Sequence, residues 1–193
     1  YNLEVSPFIA MLGLCFLASG VKRVYYYWKE LIILSLFVLY PVFARILQAI
    51  DLPTLTARFS TFILQATGFE AIQQGVLIIL PTTRVEVYGA CSGVEQIIQM
   101  FNIAVIFLLI FPIKTIQKIL CIVMAVFLGF AINGVRVVLL TLISASNDRQ
   151  GFDYWHQGNG SLIFFMITVF LFGVFCWGSF LRNSPVTSNP GDS

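Results

Sequence analysis

An all-α polytopic membrane protein is the architecture this sequence asks for: a helical bundle with an extracytoplasmic interfacial helix and a short β-hairpin. Three observations carry that expectation. Of 193 residues, 59% are apolar and only 10% are charged, against roughly 45–50% and 25% in ordinary globular chains. Mean hydropathy is +0.91 and 19 residues are Phe, so the chain is matched to lipid rather than water. The apolar residues also collect into five stretches, each near the about 20 helical residues that cross a hydrocarbon core. Eleven basic residues against nine acidic ones, net +2, form no field that would attract a nucleic acid. The same composition excludes disordered, collagenous and disulfide-stapled chains.

The five stretches are 5–21, 31–50, 92–113, 119–145 and 160–181. The first is read as a span and not as a signal peptide, because Lys22 and Arg23 follow the apolar run instead of preceding it. Tyr25, Tyr26, Tyr27 and Trp28 then form an aromatic belt at headgroup level. Pro41 is placed to kink the second span. Short connections on one side receive Lys22, Arg23, Lys29, Lys114, Lys118 and Arg182, whereas the longer ones opposite hold Arg58, Arg84 and Arg149. The positive-inside rule makes the first side cytoplasmic. The chain therefore enters from outside, and 51–91 and 146–159 are extracytoplasmic.

The 51–91 connection is too long and too apolar for a plain loop. Leu55, Phe59, Phe62, Ile63 and Ala66 share a helical stripe with Thr56, Arg58 and Gln65 off it, the pattern of a helix lying in the membrane interface. Gly75 to Leu80 and the alternating Arg84-Val-Glu-Val-Tyr88, joined across Pro81-Thr-Thr, predict two strands of a hairpin. Residues 1–181 are thus read as a single transmembrane domain, and the polar stretch 182–193 as a flexible cytoplasmic tail.

Polar residues inside spans point to function, since a charge at the bilayer centre costs at least ~2.5–3.5 kcal/mol. Glu95, Gln99 and Asn102 are spaced four and three apart and share one helix face, which Cys91 extends by a turn. Asn133 and Arg136 share a face of the next span. Arg136 lies nine residues before the end of that span, roughly 13 Å deep at 1.5 Å per residue. The connection that follows holds the sole histidine, His156. The topology brings Cys91, Arg136 and His156 to one leaflet. At a helix N-terminus the Cys91 thiolate is favoured by the macrodipole, and the Ser92 and Gly93 amides are available to an oxyanion. A thiolate nucleophile, an imidazole acid/base and a fixed cation suit cysteine-based acyl transfer.

Ala90-Cys-Ser-Gly-Val-Glu-Gln96, Asn133-Gly-Val-Arg-Val137 and His156-Gln-Gly-Asn-Gly160 resemble, in order and spacing, the three motifs of the exosortase/archaeosortase family, over roughly residues 30–181. Many members have a basic residue shortly after Cys-Ser-Gly, where this chain has Glu95; in that it looks closer to the cyanobacterial branch, the cyanoexosortases. The resemblance implies further spans upstream of residue 1, and a membrane-embedded cysteine transpeptidase or protease with Cys91, Arg136 and His156 as its catalytic residues. It implies exported protein substrates carrying a C-terminal sorting signal, with a Pro-Glu-Pro-like motif, a transmembrane helix and a basic end. These would be processed through a thioester at the outer face of a bacterial cytoplasmic membrane. Ser92, Gly93 and Asn133 would support the oxyanion or the catalytic residues, and Glu95 and Gln99 would form a substrate-facing or structural polar face.

Plainer readings stand beside these. Cys15, Cys121 and Cys176 sit in spans without polar company and read as packing residues. Arg136 pairs with Glu95 across two helices if its role is structural. Arg45 snorkels to the headgroups. One histidine and no Cys-x-x-Cys pair leave no zinc set, and neither a metal nor an organic cofactor is implied. The rival from another class is a non-enzymatic transporter or channel subunit, its polar path lined by Glu95, Gln99, Asn102 and Arg136.

Overall fold

The structure is a computed structural model that describes residues 6–156 and 158–182. The tail expected beyond Arg182, and the first residue of the expected span 5–21, lie outside them. Each apolar stretch holds helix. The first is α1, Ser6–Ser19, followed by a 3-10 segment, Val21–Tyr27. The second stretch is two helices, α2 (Trp28–Val38) and α3 (Tyr40–Ala49). The pair is bent by 52°, because Pro41, at the start of α3, removes a donor from the ladder. The kink expected at Pro41 is therefore present.

Helix α4, Leu52–Ala66, occupies the connection expected to hold an interfacial helix. Its packed face differs from the expected apolar stripe. Thr56, Ala57, Ser60, Thr61 and Leu64 are buried, whereas Leu55, Phe62 and Ala66 are exposed. The small residues let α4 close onto α6, with the Phe59 ring seated against Gly134, while Leu55 and Phe62 face outward. The Thr56 and Ser60 hydroxyls are satisfied by carbonyls of neighbouring elements, which is what permits their burial.

After α4 the chain forms a sheet of three strands, one more than expected: β1 (Ile72–Gln74), β2 (Leu77–Ile79) and β3 (Arg84–Glu86), antiparallel in that order. Register runs Gln74↔Leu77 and Leu77↔Glu86. The additional strand is polar, Ile-Gln-Gln, and lacks the alternation that marks β3. It is recruited by the tight Gly75-Val76 turn, where Gly75 has φ 61°. In β3 and its continuation Val85 and Val87 are buried and Arg84, Glu86 and Tyr88 exposed, the period of two that the sequence carries. Ile78, Leu80 and Val87 join Leu64 of α4 and Val137 and Leu140 of α6 in one core.

A 3-10 turn, Gly89–Cys91, leads into α5, Val94–Ile110. Helix α6, Thr115–Ala145, is the spine of the bundle. A row of small or short residues at four-residue spacing, Cys121, Ala125, Gly129 and Asn133, is buried along it. Gly129 shows why: a Cβ there would lie 3.2 Å from the Ile97 Cα of α5. Such rows allow membrane helices to approach backbone to backbone. Helices α7 (Arg149–His156) and α8 (Asn159–Cys176), with a π turn Trp177–Leu181, complete the fold.

Among the described residues two helices are long and apolar enough to cross a membrane, Thr115–Ala145 and Asn159–Phe180, or three if the bent α2–α3 pair is one span. Five spans were expected. Helix α1 has 14 residues and α5 has 17, ~21 and ~25 Å at 1.5 Å per residue. Gly93, with φ 88°, delays the start of α5 to Val94, and the extended Phe111 before Pro112 ends it, trimming the expected 92–113 span at both ends.

Candidate active site

Three elements converge at one end of the bundle: the 3-10 turn with Cys91, the C-terminal half of α6 with Asn133 and Arg136, and the end of α7 with His156. The Cys91 turn is held from two sides. Asn133 Nδ2 donates to the Cys91 carbonyl at 3.0 Å, and Thr56 Oγ1 of α4 donates to the Ser92 carbonyl at 2.9 Å. Gly93 must be glycine on two counts. Its φ is 88°, and a Cβ would meet Asn133 Nδ2 at 2.8 Å. Ser60 Oγ of α4 donates to the Gly134 carbonyl at 3.0 Å, fixing α4 against the same stretch of α6.

Arg136 is 8% exposed. Its Nη2 donates to the His156 carbonyl at 2.5 Å and its Nε to the Trp155 carbonyl at 3.4 Å. These are the last carbonyls of α7, which carry the negative end of that helix. The guanidinium therefore fixes the position of His156. Its ring stacks on Phe152 with centroids 5.2 Å apart. The chain can reverse tightly into α8 because Gly160 lies under Trp155, where a Cβ would come within 2.7 Å of the indole.

Asn133, Arg136 and His156 line one cavity of about 680 Å³ together with Glu95, Gln99 and Asn102 of α5. The two polar faces expected from the α5 and α6 spacing therefore share one space. Cys91 does not line that cavity. It is 5% exposed and packs in the apolar core with Val87, Val137 and Leu140. Burial pushes its thiol above the ordinary 9.0, and the nearby Arg136 charge pulls the other way without reversing the shift. The net displacement is opposite to the one expected from a helix N-terminus. Cys91 ends a 3-10 turn, and α5 begins three residues later, so desolvation dominates any dipole at that point. Burial holds the His156 imidazole below the usual 6.5; the Arg136 charge adds to this and Asp153 opposes it.

The remaining expected site residues take distinct places. Ser92 is buried, its amide donates to the Gly89 carbonyl at 3.1 Å, and its Oγ donates to the same carbonyl at 2.6 Å. The Ser92 amide is thus engaged within the turn and is not available to an oxyanion. Glu95 Oε1 accepts from Gln99 Nε2 at 3.2 Å. The sequence reading missed Thr56 and Ser60, which steady the Cys91 turn and α6, and Gln96, whose Nε2 donates to Thr168 Oγ1 of α8 at 2.8 Å. A signal for the first two was present: Thr56, Ala57, Ser60 and Thr61 form a small-residue face. Among the described residues no group of three or more His, Cys, Asp or Glu is placed to hold a metal ion.

A family model described as transmembrane exosortase matches residues 2–173. No curated protein and no solved structure matches the chain. The match covers nearly the whole chain and takes in all three motifs whose residues meet at this end of the bundle. This multi-span membrane protein belongs to the transmembrane exosortase family.

Proposed function

We propose that the chain is a cysteine transpeptidase or protease that processes the C-terminal, Pro-Glu-Pro-like sorting signal of exported proteins at the outer face of a bacterial cytoplasmic membrane. The observation that carries this reading is the shared cavity. Arg136 and His156 face one space, and Asn133, on its wall, holds the backbone of Cys91. The substrate's transmembrane helix packs against the bundle and delivers the scissile bond to the Cys91 turn.

In the resting arrangement the thiol is protonated and covered, and the imidazole is neutral. Such a pair begins catalysis with a proton transfer. Cys91 Sγ leaves the apolar core by rotation about χ1, and His156 takes its proton. The thiolate then adds to the scissile carbonyl. The oxyanion is stabilised by Arg136 and the Gly93 amide. The His156 imidazolium returns the proton to the departing amine as the C–N bond breaks, leaving a thioester on Cys91. A second nucleophile, water or an amine, attacks the thioester and restores the thiol. Burial of the thiol until substrate arrives protects it from idle oxidation.

The transporter alternative requires a polar path that continues past Glu95, Gln99 and Asn102. Further along α5 and α8 the same cavity is lined by Ile103, Ile106 and Phe165, so the polar lining does not continue, which favours a site for an apolar substrate helix. The test is processing of a co-expressed, tagged substrate. Cys91→Ala should leave the signal uncleaved while the protein remains in the membrane. Cleavage that survives the substitution defeats the cysteine mechanism.

A further inference from the structure

Two buried side-chain oxygens, on residues that line this cavity, have no role in the chemistry above. Asn133 is 1% exposed, and its Oδ1 has no hydrogen-bond partner among the described residues. Because its Nδ2 is committed to the Cys91 carbonyl at 3.0 Å, the amide orientation is set and the oxygen is the free end. Asn102 Oδ1 is likewise buried and unpartnered. Both residues line the 680 Å³ cavity. An unpartnered buried acceptor is costly, and two beside one cavity mark a place where donors are supplied from outside.

We propose that Asn133 and Asn102 are main-chain acceptors for the substrate, with Asn133 receiving an N–H near the scissile bond and Asn102 capping the start of the substrate's transmembrane helix. This rests on the function proposed above. A transmembrane helix brings such donors with it, since its first four N–H groups have no partner within the helix. In a cavity walled by apolar helices those groups need acceptors from protein. The Asn102 oxygen reaches the substrate by turning about χ2, a soft torsion, whereas the Asn133 amide stays fixed by the Cys91 carbonyl and its oxygen is met by a substrate N–H that enters beside it.

The spacing fixes the form of the bound segment. Asn133 lies against Gly93, and Asn102 is nine residues further along the same strand-to-helix run, ~13 Å at 1.5 Å per residue. An extended chain covers that length in about four residues at roughly 3.3 Å each. The substrate therefore stays extended for about four residues past the cleaved bond, alongside Glu95 and Gln99, and becomes helical at Asn102. The change of lining to Ile103, Ile106 and Phe165 at that depth suits an apolar helix and not an extended backbone.

The experiment combines Asn102 variants with a proline scan of a tagged substrate that carries a Pro-Glu-Pro-like motif followed by an apolar helix. Proline removes one N–H and is otherwise tolerated in a first helical turn. In the wild type, one position about four residues past the cleaved bond should slow processing about tenfold when changed to Pro. Asn102→Leu should slow the unmodified substrate about tenfold and erase the extra penalty of that Pro. Asn102→Asp, which keeps an acceptor, should stay within about threefold of wild type. A photo-reactive residue at Ile106 in the Cys91→Ala protein should cross-link the first helical turn of the substrate. The inference is overturned if Asn102→Leu processes normally, if the Pro penalty is equal in both proteins, if Asp fails as Leu does, or if the cross-link maps elsewhere. With Cys91→Ala inactive, any of these results removes the acceptor role alone. Activity in Cys91→Ala removes the parent reading instead.

Discussion

Cys91 and Cys121 are equally hidden, at 5% and 0% exposure, yet they occupy opposite kinds of surroundings. Cys121 and Cys176 lie in the α5–α6–α8 core with Met100, Ala104, Ala125 and Phe172. In that set the thiol is a small apolar filler. Cys91 also packs on apolar neighbours, but its own carbonyl is gripped by Asn133 and its charge state is felt by Arg136. Burial does not separate the two sites. The separation lies in polar groups delivered from other elements, and in a turn bracketed by Gly89 and Gly93, both at positive φ. The α5–α6–α8 core shows what this fold does with a cysteine that needs only to pack, and the Cys91 end shows the extra machinery.

The comparison breaks most visibly by deletion of thiols. Cys91→Ala should lower substrate processing by roughly 10³-fold or more, as expected when a covalent nucleophile is lost. Cys121→Ala and Cys176→Ala should stay within about twofold of wild type in the same assay. Next in size is Arg136→Gln, which should lower processing by roughly 10²–10³-fold, the usual cost of removing an oxyanion-stabilising group. The same substitution sharpens the electrostatics. Arg136 lowers the thiol value and also lowers that of His156. Labelling of Cys91 by iodoacetamide should therefore be slow at neutral pH and accelerate as pH rises through 9.0 and above. In Arg136→Gln that rise should move to still higher pH. The acid limb of processing in the wild type should fall below 6.5, because protonated His156 cannot accept the thiol proton, and it should move upward in Arg136→Gln.

Smaller effects test the scaffold. Gly93→Ala meets both a strained φ and the Asn133 amide. It should cost roughly 1–3 kcal/mol, read as a lower unfolding temperature in detergent, together with about a tenfold loss of processing. Thr56→Val removes one hydrogen bond to the Ser92 carbonyl. About 1 kcal/mol of stability should be lost, with a change in processing of a few fold.

Much of this arrangement is legible in the sequence where a physical rule acts over a short span. The four-and-three spacing of Glu95, Gln99 and Asn102 fixes one helix face, and that face does line the cavity. Alternation over Arg84 to Tyr88 fixes a strand with one buried side. Pro41 fixes a bend. The failures come where tertiary contacts decide. Helix α4 buries Thr56 and Ser60 while Leu55 and Phe62 stay outside, because Gly134 of α6 admits a close approach with the Phe59 ring seated against it. Strand β1 has no hydrophobic pattern of its own and exists because β2 offers an edge. The direction of the Cys91 shift follows from burial by residues as distant as Val137 and Leu140, which no local reading of Ala90-Cys-Ser-Gly93 contains.

The central claim is that Cys91 sulfur becomes covalently joined to the carbonyl of a cleaved substrate. Acid quenching of the protein during turnover of a tagged sorting-signal substrate, followed by peptide mass mapping, reads this directly. The account predicts a hydroxylamine-sensitive acyl adduct on the peptide containing Cys91, absent from the peptides containing Cys121 and Cys176. An adduct on Ser92, or turnover with unmodified Cys91 at every time point, would contradict it.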